Sequence, residues 1–383
     1  MLNCKRNKFS LPRRLTYLNC AYMSPMLKDI EKAGVKGLRS KRNPSDIAPA
    51  DFFSQGERLR TAFANIVHAE DARRIVSIPS VSYGMATVAH NLKAGKGDNI
   101  VVAAEQFPSN YYTWEQLAAD TGSLLKVVAP PDTLVDRGKT WNARLLEAID
   151  HSTKAVAVGN VHWADGTRFD LPAIRKRTRE VGAWLIVDGT QSVGALPFDV
   201  ANIQPDALVC AAYKWLLGPY SIGLAYFGEA LNNGRPLEEN WINRLHSEDF
   251  QQLVNYQPAY QPGALRYEVG EHSNFIHVPM MLKALKQIEK WGVDRIQEYC
   301  RHITTESIEK LREKGFWVED EAYRGHHLFG IRLPKSVDME SVKAQLKKKN
   351  IAVSIRGNAV RVAPYLYNDV FDVQRLVKVL TQY

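Results

Sequence analysis

Seven short apolar runs, separated by polar and amphipathic stretches, constrain the fold of this chain more than any other feature. They lie at residues 73–80, 98–105, 124–130, 154–163, 184–190, 207–213 and 222–227. Most are nearly continuous in apolar residues, which is typical of strands buried on both faces. Between the earlier runs lie helical patterns at 82–93, 109–122, 140–150 and 170–183. This alternation predicts an α/β fold, with a mostly parallel sheet covered by helices on both sides.

The pattern changes from about His277 onward. A long helical stretch at 278–315 is followed by short strand patterns at 326–333, 351–357 and 359–364 and by a closing helix at 369–383. At 383 residues and 45% hydrophobic content, the chain can form one large core and a smaller satellite. We therefore expect an N-terminal segment (1–20) packing near the small domain, a large domain (21–276) and a small α+β domain (277–383).

Charge and cysteine usage limit the partners that we expect. The chain has 50 Lys and Arg against 41 Asp and Glu, a net charge of +9. The densest basic clusters, such as 175–180 and 347–349, fall in helical patterns and indicate solvated faces, so no nucleic-acid site is predicted. The basic balance instead favours small acidic ligands. Four widely spaced cysteines without a CxxC pair predict no metal site and a reducing compartment: Cys4, Cys20, Cys210 and Cys300.

The sequence contains no uncharged apolar run long enough to span a bilayer, and no apolar segment follows the basic residues near its start. We therefore expect a cytoplasmic protein without a membrane partner.

Two charged residues end buried strands, at the sheet edge where ligands of such folds collect. Asp188 follows the run at 184–187, and Lys214 follows the run at 207–213. Three interpretations remain open from their positions: a structural salt bridge, separate exposure at a sheet edge, or contact with one bound cofactor. In the third, the aspartate keeps a ring nitrogen protonated and the lysine forms a Schiff base.

The residues around this pair resemble the class V aminotransferase superfamily of pyridoxal-phosphate enzymes. "VDGTQSVGALPFDV" at 187–200 and "DALVCAAYKWLLGPYSIGLAYF" at 206–227 carry the likeness. "YLNCAYMSP" at 17–25 and "VRVAPYLYN" at 360–368 support it. The superfamily includes cysteine desulfurases, kynureninase and proteins similar to isopenicillin N epimerase. The resemblance implies the fold of a fold-type I transferase and pyridoxal 5'-phosphate as cofactor.

The resemblance also implies roles for the residues at the strand ends. Lys214 would form the internal aldimine and then move the substrate's α-proton. Asp188 would pair with the pyridinium nitrogen, Gln191 would bond the phenolic oxygen unless it is an ordinary turn residue, and Tyr213 would reach the phosphate. Val81 and Ser82 begin a helix whose amides would hold the phosphate, although a plain serine N-cap has the same sequence pattern.

Aromatic and imidazole residues near the predicted site have weaker assignments. Phe107 would stack on the cofactor, with core packing as the alternative, and Trp163 resembles an aromatic residue of the kynureninase branch. His162 would contact substrate, although a histidine beside a strand end is more often part of hydrogen-bonded structure. Ser273 and Asn274 lie in a loop that resembles the one completing the partner's phosphate site, which implies a homodimer with composite active sites.

Two arginines near the end of the chain bear on the substrate. By resemblance Arg361 would bind the substrate carboxylate in a bidentate fashion, while Arg356 would either assist or lie on the surface. Desulfurases carry a nucleophilic cysteine between these positions, and residues 357–360 contain none. We therefore do not expect a persulfide-forming desulfurase. The resemblance implies a PLP-dependent aminotransferase of α-amino acids, with a kynureninase-like or C–S lyase, an amino-acid epimerase or a non-catalytic binding subunit as alternatives.

Overall fold

The structure is a computed structural model and describes residues 2–382. Its strands are β1 Thr16–Tyr17, β2 Ile75–Ile78, β3 Asn99–Ala103, β4 Leu124–Val128, β5 Thr153–Gly159, β6 Trp184–Asp188, β7 Ala207–Ala211, β8 Gly223–Phe227, β9 Trp317–Val318, β10 Phe329–Arg332, β11 Ile351–Ala352, β12 Ser354–Arg356 and β13 Ala359–Val362. Its α-helices are α1 Lys28–Ser40, α2 Asp51–Val67, α3 Val81–Asn91, α4 Tyr112–Thr121, α5 Arg137–Ala148, α6 Leu171–Val181, α7 Val200–Ile203, α8 His277–Trp291, α9 Val293–Glu313, α10 Met339–Lys348 and α11 Val370–Leu380.

The seven predicted apolar runs form one sheet with the order β2-β8-β7-β6-β5-β3-β4. Strands β3 to β7 pair in parallel, while β8 runs antiparallel to both of its neighbours. Alternate residues of each strand enter two separate cores: Val101 packs in one, and Ile100 and Val102 pack in the other. Because both faces of the sheet are covered, the predicted fold class is confirmed.

Strand β4 departs from the expectation of burial on both faces. Leu124 and Val127 are exposed there. β4 is the last strand of the sheet and pairs only with β3, so one of its edges has no neighbour in the described structure. Although the sequence of β4 is as apolar as that of most other strands of this sheet, β4 is partly exposed because it lies at the edge of the sheet.

A four-stranded antiparallel sheet, β12-β13-β10-β9, forms the smaller unit. The predicted helical stretch at 278–315 forms two helices, α8 and α9, which are separated at Gly292. This glycine has a φ of +78°, a left-handed conformation that interrupts an α-helix. Helix α8 packs against α1 and α2. In the leading segment, β1 pairs in parallel with β11. The division into three segments stays a prediction.

Within residues 2–382, no helix is both long and apolar enough to cross a membrane. The same residues contain no cluster of three or more His, Cys, Asp or Glu side chains arranged to hold a metal ion.

Candidate active site

A cavity of about 370 Å³ opens at the carboxyl edge of the large sheet. The loops after strands β2, β3, β5, β6 and β7 all reach it, because parallel strands end at the same edge. Its lining residues include Ser80, Val81, Ser82, Phe107, His162, Trp163, Asp188, Gln191, Tyr213 and Lys214. Most of the residues that the sequence analysis singled out therefore meet at one cavity.

Lys214 is buried at this cavity, where its ammonium group lies between aromatic rings. Its Nζ atom is 5.2 Å from the ring centre of Phe107 and 5.4 Å from that of Tyr213. Burial, opposed by the charge of Asp188 and assisted by the charges of Arg361 and Arg356, lowers the pKa of Lys214 to about 8. No carboxylate of residues 2–382 forms an ion pair with this lysine. The amine is therefore set up as a nucleophile or base and not as half of a salt bridge.

Asp188 is the last residue of β6, and its carboxylate faces the same cavity. Oδ1 accepts a hydrogen bond of 2.9 Å from the backbone amide of Thr190. Burial raises the pKa of Asp188, an effect opposed by the Thr190 bonds and by the charge of Lys214. A cationic N–H group placed in the cavity would stabilise this carboxylate in its charged form.

Gln191 lines the cavity and belongs to a hydrogen-bond network that links the two units of the fold. Its side chain donates to the carbonyl of Ala21 at 3.1 Å and accepts from the indole of Trp215 at 3.0 Å. One amide hydrogen remains for a ligand oxygen. Its backbone carbonyl lies 2.8 Å from Nε2 of His327, a residue just before β10. Burial lowers the pKa of His327 to about 4, so the ring is neutral and Nε2 donates this bond.

Sequence reasoning missed the contribution of His327. The sequence of residues 326–333 indicates only a strand, and the contact to Gln191 spans 136 positions of the chain. A pair of histidines beside a short strand was the one local signal.

Helix α3 begins at the rim of the cavity. Ser80 caps it, with its hydroxyl oxygen accepting from the amide of Tyr83 at 3.2 Å. The amides of Val81 and Ser82 belong to the first turn and precede any intrahelical acceptor. Because the helix dipole also favours negative charge at this end, the two amides are suited to an anion such as phosphate.

Phe107 and Trp163 pack edge to face at the mouth of the cavity, with ring centres 5.4 Å apart. Phe107 is 37% exposed, so it is not a core residue and its ring remains open to a ligand. The indole of Trp163 donates to the carbonyl of Glu105 at 2.7 Å, which fixes the ring plane.

His162 is buried and engaged at both ring nitrogens. Nδ1 lies 3.2 Å from Oδ1 of Asp165, and Nε2 lies 3.0 Å from the carbonyl of Glu105. Asp165 in turn pairs with Arg137 at 2.8 Å and accepts from the hydroxyl of Thr167 at 2.9 Å. This arrangement favours the structural interpretation of His162 over substrate contact. Its effect is to fix the turn that carries Trp163.

We expect Asp165→Asn to destabilise the protein by about 3–5 kcal/mol at pH 7, because it leaves the buried Arg137 cation unpaired. Burial alone would raise the pKa of Asp165, but His162, Arg137 and the Thr167 amide together hold it well below its ordinary value. Since the folded-state pKa is depressed, this stabilisation is complete above about pH 4 and is lost as the pH falls further.

Denaturant unfolding at several pH values checks this expectation, with the exposed Asp132→Asn as the matched control. A free-energy gap between wild type and Asp165→Asn that does not shrink below about pH 4 would contradict the assignment.

Arg361 is a buried cation without a carboxylate partner in the described part of the chain. Its guanidinium donates to the carbonyl of Trp163 at 2.8 Å and to the hydroxyl of Ser354 at 3.3 Å, and its Nε has no partner. Burial lowers the pKa of Arg361 to about 9, and Arg356 acts in the same direction. A bound carboxylate would supply the missing counter-charge.

Ser273 and Asn274 have partners within their own chain. The Ser273 hydroxyl donates to the carbonyl of Phe52, and Asn274 Oδ1 accepts from the amides of Ile276 and His277 at the start of α8. The Asn274 amide nitrogen has no hydrogen-bond acceptor among residues 2–382. Their predicted contact with a partner's phosphate stays a prediction.

Comparison with known proteins agrees with this geometry. The family described as Aminotransferase class-V matches residues 45–378, so the chain belongs to that family. YcbU of Bacillus subtilis, an uncharacterized aminotransferase, is 27% identical over 313 residues, which are 82% of this chain and 79% of YcbU. A cysteine desulfurase of Salmonella newport is 27% identical over 264 residues, covering 67% of this chain and 62% of that protein.

Solved structures show the same fold. A C-DES mutant with glycine covalently linked to its PLP cofactor superimposes with a TM-score of 0.86, at 18% identity and 99% coverage of both chains. The cysteine desulfurase CsdA of Escherichia coli gives a TM-score of 0.80, at 19% identity, covering 98% of this chain and 96% of CsdA. At these identities the likeness extends to the fold alone.

Membership of this family makes pyridoxal 5'-phosphate the cofactor, and the cavity fits it. The first-turn amides of α3 suit its phosphate, and the carboxylate of Asp188 suits a protonated ring nitrogen. The remaining amide hydrogen of Gln191 suits its phenolic oxygen, the exposed ring of Phe107 suits its flat face, and the amine of Lys214 suits its aldehyde.

The lowered pKa of Lys214 predicts how capture of the cofactor depends on pH. Since the neutral amine is the reactive form, the capture rate should rise about tenfold per pH unit and level off near pH 8. Asp188→Asn should move this midpoint lower, because Asp188 raises the pKa of Lys214.

Stopped-flow absorbance of cofactor-free protein mixed with pyridoxal 5'-phosphate measures this profile. A midpoint near the ordinary lysine value, about 10.4, would contradict the environment described for Lys214.

Proposed function

We propose that this protein is a PLP-dependent aminotransferase that moves the amino group of an α-amino acid to an oxo acid. The observation that carries the proposal is the position of Lys214. Its buried amine has a pKa lowered to about 8 and faces a cavity that also holds Asp188. The cavity therefore contains both an amine that can exchange protons near neutral pH and a carboxylate that can hold a ring nitrogen protonated.

When bound, the cofactor supplies an electron sink for the charge that develops at the substrate's α-carbon. The remaining tasks fall to residues of the chain. Lys214 removes the α-proton and returns it to the atom that accepts the amino group. Asp188 holds the proton on the ring nitrogen, Arg361 binds the α-carboxylate, and Phe107 covers the ring face.

The cysteines of the chain disfavour a mechanism in which one of them takes up sulfur as a persulfide. Among the described residues, Cys20, Cys210 and Cys300 are buried, and Cys4 is the exposed one. No cysteine is among the residues that line the cavity. Burial raises the pKa of Cys20 to about 12, so this thiol is not a nucleophile at neutral pH. The turn between β12 and β13, at 357–358, contains no cysteine either.

A carbon–sulfur lyase is the second candidate. It is favoured by structural neighbours that include the cystine C–S lyase C-DES in complex with its product cysteine persulfide, at a TM-score of 0.84 and 18% identity. That chemistry needs no thiol in the chain if sulfur leaves with the substrate fragment. An epimerase would use the same α-proton removal with the proton returned on the other face.

We also propose a homodimer in which Asn274 reaches the partner's phosphate. Large apolar side chains are exposed near the cavity and on α1, including Tyr22, Leu38 and Tyr220. Light scattering tests the assembly. Mixing two inactive variants, Lys214→Ala and Asn274→Leu, should restore up to about a quarter of the activity if each site draws on both chains. No recovery in a mixed dimer would exclude a composite site.

An absorption spectrum of the cofactor-loaded protein, repeated with each of a panel of amino acids, tests the reaction class. An aminotransferase loses the visible band to a stable near-ultraviolet band, and an oxo acid restores it. A visible band that persists while pyruvate, ammonia or an inverted amino acid accumulates would overturn transamination in favour of a lyase or an epimerase.

A further inference from the structure

Arg356 and Arg361 project from the same face of the β12–β13 hairpin. In the register of this pair, Ser354 is opposite Arg361 and Arg356 is opposite Ala359. Residues directly opposite share a face, and so do residues two apart on one strand. The two arginines are therefore diagonal neighbours, with their α-carbons about 7–8 Å apart.

Both guanidinium groups lie against the indole of Trp163, which lines the cavity. The guanidinium carbon is 5.3 Å from the ring centre for Arg356 and 5.9 Å for Arg361. Both charges also lower the pKa of Lys214, which places them within electrostatic reach of its amine. The hairpin therefore places two cations next to the cavity, in contact with its lining residue Trp163, although neither arginine is itself a lining residue.

Neither cation has a counter-charge in the part of the chain that the structure describes. Arg356 donates to the carbonyl of Ile355 at 2.8 Å, and the Nε atoms of both arginines are buried without an acceptor. Three other buried or largely buried arginines are paired with carboxylates: Arg60 with Glu268 at 2.9 Å, Arg137 with Asp165 at 2.8 Å and Arg175 with Asp206 at 2.8 Å. Arg324 is also buried without an ion pair among residues 2–382, but its Nε donates to the carbonyl of Glu319 at 3.0 Å. Removing a cation from water without a partner is costly, so two neighbouring guanidinium groups whose Nε atoms are both buried without an acceptor are suited to an anionic ligand.

One α-carboxylate does not account for both arginines. A carboxylate matches a single guanidinium fork in its bidentate form, and under the proposed function Arg361 takes the α-carboxylate. The cofactor's phosphate is accounted for by the first turn of α3, and its ring nitrogen by Asp188. None of these ligand groups pairs with the positive charge of Arg356.

We infer that the substrate is an α-amino acid whose side chain ends in a second anionic group, and that Arg356 binds this group. The inference rests on the proposed function. Carboxylate, sulfonate and phosphate side chains share the required chemistry. Arg356 is then the residue that sets side-chain specificity, while Arg361 holds the end common to all amino acids.

Calorimetric titration of the cofactor-loaded protein tests the subsite without turnover. The probes are glutarate and succinate against the singly charged pentanoate and butyrate. We expect each dicarboxylate to bind at least about tenfold more tightly than its monocarboxylate, because a hydrogen-bonded charge pair contributes on that scale. Arg356→Gln should remove this preference and leave monocarboxylate affinity within about threefold. The exposed Arg13→Gln is the matched control and should behave as wild type.

Matched amino-acid pairs test the same point in the reaction: glutamate with glutamine, aspartate with asparagine, and phosphoserine with serine. We expect the anionic member of at least one pair to bleach the visible band with a kcat/KM at least about tenfold higher, and Arg356→Gln to abolish the difference.

Equal affinity of the wild type for mono- and dicarboxylates, or an equal loss of affinity for both in Arg356→Gln, would overturn the inference. Arg356 would then have a structural or interface role. The two proposals fail differently. A dicarboxylate preference that depends on Arg356, without transfer of any amino group to the cofactor, would keep the anion subsite and reject the aminotransferase. Transamination of neutral amino acids alone would keep the aminotransferase and reject the anion subsite.

Discussion

Lys214→Ala should abolish the visible absorption band of the cofactor-loaded protein and lower turnover of any amino-acid donor by at least about 10³-fold. The variant lacks both the amine that captures the cofactor's aldehyde and the base that moves the α-proton, and general acid–base catalysis alone contributes about 10²–10⁴-fold. No other lysine lines the described cavity, so none can substitute for it. Absorbance and steady-state kinetics measure both losses.

Two comparisons make this result specific. The exposed Lys176→Ala, on α6, should keep the band and the activity, and circular dichroism should show all three proteins folded. Adding a small primary amine to Lys214→Ala should restore part of the turnover, since the missing base is then supplied from solution. A wild-type visible band in Lys214→Ala would contradict the role given to this residue.

Arg361→Met should lower kcat/KM by about 30-fold to several thousand-fold, because it removes a buried charged contact worth about 2–5 kcal/mol. The same variant should change the free energy of unfolding of the ligand-free protein by no more than about 1–2 kcal/mol. Arg361 has no carboxylate partner among residues 2–382, and replacing an unpaired buried cation by an apolar side chain also removes a desolvation cost.

The split between activity and stability separates a substrate-binding role from a structural one. Steady-state kinetics and urea unfolding provide the two measurements, with the exposed Arg13→Met as control. A loss of 3–5 kcal/mol in stability would instead mean that Arg361 completes a buried ion pair or network, and the assignment to the α-carboxylate would fail.

Much of this architecture could be predicted from the sequence because it depends on local patterns. The apolar runs gave the strands of the large sheet, and the rule that parallel strands end at one edge placed Asp188 and Lys214 at a shared cavity. The family motifs then gave pyridoxal 5'-phosphate as cofactor. Each of these inferences used residues close together in the chain.

Features that depend on long-range pairing could not be predicted in the same way. The ion pair of Arg137 with Asp165 and the bond from His327 to Gln191 join residues far apart in the chain, and no local pattern identifies the partner of either residue. The exposure of β4 could not be predicted either, because the sequence of this strand does not reveal that it lies at the sheet edge. Whether Arg356 and Arg361 had carboxylate partners also became visible only in three dimensions.

The most direct test of the proposed function follows the amino group itself. The cofactor-loaded protein is incubated with a mixture of ¹⁵N-labelled amino acids and no oxo acid, then denatured, and the released cofactor is weighed by mass spectrometry. An aminotransferase predicts pyridoxamine 5'-phosphate carrying ¹⁵N, in an amount equal to the sites present. Recovery of unlabelled pyridoxal 5'-phosphate, with ¹⁵N ammonia or an inverted amino acid in solution, would contradict it.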